Sequence, residues 1–142
     1  MKKINSMMFL SLALLCLAFV GGCAVYPSVV VNNWNFAPQQ ANGTELDLSL
    51  IAGSELEFNF TIKNEGEARD LLASTFDVIF TTESGESSAL SIYFDNHQTR
   101  LSFVKYESKN IVLHAVSNTT VSESRRITIT YDGQTLVQYL VR

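Results

Sequence analysis

The 142-residue chain has only two cysteines, Cys16 and Cys23, and none after them. A domain built from the remaining residues therefore has no disulfide staple, and its stability must come from a buried core. It also has no cysteine nucleophile and no Cys-x-x-Cys metal knuckle. Histidine is equally scarce: only His97 and His114 are present, with no His-x-x-x-His spacing. Asp95-Asn96-His97 could offer oxygen and nitrogen ligands, but Asp-Asn is explained by turn chemistry, so no metal site is expected. Neither a Gly-x-Ser-x-Gly elbow nor a glycine-rich phosphate loop occurs, and neither an enzyme nor a cofactor is expected. Basic residues are outnumbered, 10 Lys and Arg against 14 Asp and Glu, for a net charge of −4. Without a basic stripe to neutralise phosphates, a nucleic-acid partner is not expected.

The positive charge that is present sits partly at the start. Lys2 and Lys3 precede an uncharged, apolar run from Ile4 to Val20, which is closed by Gly21 and Gly22 directly before Cys23. A basic start, an apolar middle and a small-residue end is the order of a secretory signal. As a membrane span the run would be marginal, since about 20 apolar residues are needed to cross a core roughly 30 Å thick. No basic cluster follows it to stop transfer.

Val20-Gly21-Gly22-Cys23 resembles the lipobox of bacterial lipoproteins. The resemblance implies that residues 1–22 are a cleaved signal peptide and that Cys23 becomes a lipidated N-terminus. The chain would then be held on a membrane of the cell envelope, and no single acyl chain would suffice for that. Cys16 follows Leu14-Leu15 rather than small residues and reads as an ordinary part of the apolar run. Ala24 stands where an aspartate commonly retains lipoproteins in the inner membrane, which implies the outer membrane in a Gram-negative cell. Loss of Lys2 and Lys3 leaves 8 basic residues against 14 acidic ones, a net charge of −6.

After Cys23 the dominant signal is a period of two. Residues 23–43 read as a tether running into a first strand, with Val29-Val30-Val31, an interruption at Asn32-Asn33, and then Trp34 and Phe36. From residue 44 to the end, Leu46, Leu48 and Leu50 alternate with polar residues. So do Leu56, Phe58, Phe60 and Ile62, then Phe76, Val78 and Phe80, then Leu90, Ile92 and Phe94. Leu101 with Phe103, then Ile111, Leu113 and Ala115, then Ile127, Ile129 and Tyr131 continue the pattern, and Leu136 to Val141 ends it. A strand sorts such residues onto two faces, whereas a helix would scatter them. Ala52-Gly53-Ser54, Asn64-Glu65-Gly66, Ser84-Gly85, Asp95-Asn96 and Asp132-Gly133 supply the turns, the last as a type I′ hairpin. Glu65 to Ala73 is the one segment with a helical option. Arg100 to Tyr106 switches its apolar side, which suits a bulge. About seven to nine short strands at such spacing predict an all-β, antiparallel sandwich.

The run from Ile51 to Ala68, containing Ala52-Gly53, the alternating strand Leu56 to Ile62, Asn64-Glu65-Gly66 and Ala68, resembles bacterial immunoglobulin-like modules of the CARDB kind. Phe76 to Phe80 lies where their next strand would be. The resemblance implies an immunoglobulin-like sandwich acting as an interaction or spacer module, and it carries over no catalytic residue. The expected role is a non-catalytic envelope lipoprotein that meets an envelope or surface protein. The alternative is a small-molecule or glycan binder with Trp34, Tyr93 and Tyr106 as stacking residues. Trp34 and Phe36 are either core or a partner-facing pair. The last strand is apolar on both sides, with Val137, Tyr139 and Val141 opposite Leu136 and Leu140. It is either covered on both faces or a surface for a partner. Trp34, Phe36, Val137, Tyr139 and Val141 are thus the candidate partner-binding residues. Glu55 and Glu57 share a strand face that is expected to be solvated, and His114 is expected to point outward between Leu113 and Ala115.

Overall fold

A computed structural model describes residues 27–46, 55–117 and 125–141. Val20, Gly21, Gly22, Cys23 and Ala24 lie outside the described residues, as do Leu48, Leu50 and the Ala52-Gly53-Ser54 turn. The described residues are mostly strand, with short 3-10 turns at Ala73–Thr75 and Asp95–His97, and no helix among them is long and apolar enough to cross a membrane.

The described residues form twelve strands: β1 (Val29–Val31), β2 (Trp34–Pro38), β3 (Glu45–Leu46), β4 (Glu55–Asn64), β5 (Arg69–Leu72), β6 (Phe76–Thr82), β7 (Gly85–Ser88), β8 (Ser91–Tyr93), β9 (Arg100–Phe103), β10 (Ser108–Val116), β11 (Arg126–Tyr131) and β12 (Gln134–Val141). One five-stranded sheet has the order β1-β2-β4-β10-β8, the other β3-β12-β11-β6-β7, and β5 with β9 makes a two-stranded ribbon. All pairings are antiparallel except β3 against β12.

The alternation in sequence becomes alternation in burial. Along β4, Leu56, Phe58, Phe60 and Ile62 are buried while Glu55, Glu57 and Asn59 are exposed. β6 does the same with Phe76, Val78 and Phe80. The inner faces of the two large sheets meet through aromatic rings. Phe36 of β2 lies 5.7 Å from Phe76 and 4.9 Å from Tyr131 on the other sheet, and Phe58 stacks on Tyr139 at 5.5 Å. Burying side chains of this size stabilises the fold by about 1.5–3 kcal/mol each. The β5–β9 ribbon adds Leu71 and Phe103 to the same core, with Phe103 edge-on to Trp34 at 5.0 Å.

Asn32 and Asn33 both take positive φ (51° and 63°) between Val31 and Trp34, which face each other in register. Asn tolerates this left-handed region, and two such residues in succession make the type I′ turn that matches strand twist. The segment expected to lead from tether into one strand is therefore a hairpin built into the first sheet. Asp132-Gly133 makes the expected turn of the same kind (φ 51° and 78°) between β11 and β12. The two turns touch, since Asn32 Nδ2 donates to Asp132 Oδ2 at 3.0 Å.

Two irregularities resolve differently from the sequence expectation. The apolar switch after Phe103 is no bulge. It is a tight turn, with Tyr106 at φ 66° and the Glu107 N–H donating to the Val104 carbonyl at 3.2 Å. The bulge falls in β12 instead. Ile129 faces Val137 and Thr130 faces Thr135, leaving Leu136 as the extra residue, so Leu136 and Val137 are both buried. The optional helix at Glu65 to Ala73 is strand β5 over its second half.

Asn64 explains the Asn-x-Gly turn. Its side chain is fully buried, and each of its four hydrogen-bonding positions is used. Nδ2 donates to the carbonyls of Glu67 (2.9 Å) and Val104 (3.2 Å). Oδ1 accepts from the Gly66 N–H (3.0 Å) and from Arg69 Nε (2.9 Å). One amide thus ties the β4–β5 turn to the β9–β10 turn and aims the Arg69 guanidinium over the Trp34 ring, 4.1 Å from its centre. Asn64→Ala leaves these part-buried partners without a mate and is expected to cost about 2–4 kcal/mol in a urea melt. Asn64→Asp, which keeps only the acceptor half, should recover part of that loss.

Candidate functional site

Four of the five candidate partner-binding residues are core residues. Trp34, Phe36, Val137 and Tyr139 are all at most 2% exposed, because both the β1–β2 hairpin and β12 turn these side chains toward the facing sheet. A partner cannot reach them in the folded chain. Val141 is half-buried beside them. Burial also pushes the Tyr139 hydroxyl up to about 12, so it stays protonated throughout the physiological range. β12 is not covered on both faces along its length: Leu136 is buried through the bulge, while Leu140, on the side opposite Tyr139, is 49% exposed.

Of the stacking candidates for a ligand, Trp34 is thus withdrawn into the core. Tyr93 lies between two imidazoles, stacked on His97 at 4.3 Å and His114 at 5.3 Å. Tyr106 is exposed, flanked by Lys63 and Lys105. An open recess of about 400 Å³ is lined by residues that include Arg69, Asp70, Ser102, Phe103 and Lys109. Most of its polar groups are engaged, although Arg69 Nη2 is buried without a hydrogen-bond partner. Arg69 is bound to Asn64, the Lys109 ammonium donates to the Ser102 carbonyl at 2.6 Å, and Ser102 donates to Asp70 at 2.9 Å. Ser102 and Lys105 also have a Ser-x-x-Lys spacing, which sequence reading passed over. They serve different partners, Lys105 pairing with Glu67 at 3.2 Å.

Among the described residues, a dense set of chemically active side chains lies elsewhere, on the outer face of the first sheet. In the ladders, His114 of β10 sits directly opposite Glu57 of β4 on one side and Tyr93 of β8 on the other. Glu55 is two residues from Glu57 and so projects from the same face. The chain then leaves β8 through Asp95–His97, where Asn96 and His97 take positive φ (60° and 58°). That backbone reversal brings Asp95 back over the sheet. His114 Nδ1 is 2.9 Å from Glu55 Oε2 and 3.7 Å from Glu57 Oε2, and its Nε2 is 2.7 Å from Asp95 Oδ1. The imidazole does point outward, as its place between Leu113 and Ala115 suggests, yet it is only 9% exposed because these neighbours cover it.

Burial by itself would lower the pKa of His114. The hydrogen bonds of Asp95 and Glu55, with the charges of Glu57 and Asp95, outweigh it, and the pKa is raised. The proton is therefore held more tightly in the folded chain than in the unfolded one. Its stabilising contribution is complete below the ordinary histidine range near ~6.5 and is lost as pH rises through the raised folded value. With chelator present, the thermal midpoint is expected to fall by a few degrees between about pH 6 and about pH 8.5. The effect should be on the order of 1 kcal/mol, since Glu55 and Asp95 are themselves largely in water. His114→Gln should flatten that slope, and a wild-type slope that survives the substitution would place its origin elsewhere.

No protein-family model matches the chain, and no curated protein is significantly similar to it. Among solved structures, that of the yjhA protein from Bacillus subtilis is similar with a TM-score of 0.44 and 14% identity, covering 84% of this chain and 98% of that one. A likeness of that size carries no conclusion about fold type or function.

Proposed function

We propose that this chain is a lipid-anchored envelope protein whose β domain is a non-catalytic interaction module working close to the membrane surface. The observation that carries the reading is Val20-Gly21-Gly22-Cys23 at the end of a basic-then-apolar segment. Its position relative to the domain adds a constraint. β1 begins at Val29, six residues beyond Cys23, and even a fully extended chain spans at most about 3.3–3.6 Å per residue. The start of β1 is then held within roughly 20 Å of the lipid, which favours contact with a partner at the membrane over spacing at a distance.

The strand order supports an immunoglobulin-like sandwich. β2-β4-β10-β8 in one sheet and β6-β11-β12 in the other match the ABED and CFG order of that fold. The non-catalytic role is supported by the surroundings of His114. Both of its ring nitrogens face carboxylates, so neither is free to take a proton from a nucleophile. In-cell cross-linking of the lipidated chain should capture one envelope or surface protein reproducibly. Capture that is unchanged when the anchor is removed would contradict the membrane-proximal reading.

A further inference from the structure

We propose that Glu55, Glu57 and His114 form a binding site for a divalent transition ion of the zinc type, with His114 Nδ1 and one oxygen from each glutamate as ligands. The inference stands independently of the lipid anchor. The three ligand atoms all lie within 4.8 Å of one another. Ligands held at zinc distances in a tetrahedral arrangement are roughly 3.3–3.6 Å apart. The Nδ1 separations of 2.9 and 3.7 Å bracket that range, and both glutamates are exposed enough to adjust their rotamers.

Two further observations point to a cation here. The first is the partner of the other ring nitrogen. Asp95, from a separate element, holds Nε2 at 2.7 Å. With Asp95 accepting from Nε2–H, a cation that displaces the Nδ1 proton would meet a lone pair directed at the glutamates, the arrangement metal-binding histidines take from an outer carboxylate. In a neutral ring held this way, that lone pair would meet the Glu55 carboxylate at 2.9 Å with nothing positive between them. The second is charge. Glu55, Glu57 and Asp95 surround a single imidazole, and among the described residues none of the three is paired with a lysine or arginine. A proton on Nδ1 can satisfy Glu55 alone, whereas a divalent ion satisfies both glutamates at once. The ring is also rigid, buried and stacked on Tyr93 at an interplanar angle of 11°. An imidazole ligand beside two carboxylates suits zinc and its neighbours rather than calcium or magnesium, which favour all-oxygen spheres.

The test is calorimetric titration of the purified full chain in detergent with zinc chloride, after chelator treatment and with both cysteine thiols alkylated. One equivalent should bind with a dissociation constant of about 10 μM or tighter. Glu57→Gln, at an exposed position that does not threaten folding, should weaken binding by about tenfold or more, and Asp95→Asn by about tenfold through the ring orientation. His97→Ala should leave it unchanged, and calcium chloride should give no heat of binding. The site is overturned by any of three results: no zinc binding up to about 1 mM, binding insensitive to Glu57→Gln, or binding lost with His97→Ala. Equal affinity for calcium would reduce it to a patch of surface acids.

Discussion

Phe36→Ala is expected to destabilise the domain by about 3–5 kcal/mol. Phe36 is wholly buried, and its ring meets Phe60 on its own sheet and Phe76 and Tyr131 on the facing one. Removing it opens a cavity where the two sheets are joined, and three rings lose a packing partner together. With total stability for a domain of this size about 5–15 kcal/mol, a fifth or more would be lost. The thermal midpoint should fall by about 10–25 °C. Circular dichroism on heating measures this directly. Had Phe36 been a partner-facing residue, the same substitution would weaken partner capture and leave the midpoint nearly unmoved.

The second large effect is all-or-none. Cys23→Ser should abolish incorporation of labelled fatty acid and stop removal of residues 1–22, because serine has no thiolate to accept the lipid. Cys16→Ser should do neither, since Cys16 lacks the small residues that precede Cys23. Gel mobility and palmitate labelling in a bacterial host distinguish the two. Label that persists in Cys23→Ser, or disappears in Cys16→Ser, would reverse the assignment. Two or more acyl chains are needed for stable anchoring, so the labelled wild-type chain should sediment wholly with membranes.

Local patterns in the sequence carried much of the fold. The alternation of Leu56, Phe58, Phe60 and Ile62 specifies a strand and its inner face, because the side-chain period of a strand is two wherever that strand ends up. Asp132-Gly133 specifies its turn for an equally local reason, the tolerance of both residues for positive φ. Asn32-Asn33 carried the same signal and was read only as an interruption. The β12 bulge was not legible, since which strand absorbs the extra residue depends on the partner's register, here that of β11. Nor was the turn at Val104–Glu107, where a non-glycine residue takes positive φ while its neighbours are held by Asn64.

The candidate site divides in the same way. That Glu55 and Glu57 share an outer face, and that His114 points outward, follows from strand periodicity alone. That they meet does not. Glu55 and His114 are 59 residues apart, and Asp95 is a further 19 residues from His114. Their contact requires β4, β10 and β8 to be neighbours in one particular register, and a slip of one residue would turn His114 into the core.

By itself, then, the amino-acid sequence determined the all-β character and inner faces of the described residues, an acidic domain without cysteines, and the turn chemistry at Asp132-Gly133. These depend only on residue type and short-range geometry. The tertiary structure alone decided that Trp34, Phe36, Val137 and Tyr139 are core, and that one imidazole is enclosed by three carboxylates. Those outcomes depend on which strands pair and which faces meet, a choice made by the burial of the whole apolar set rather than by any segment of it.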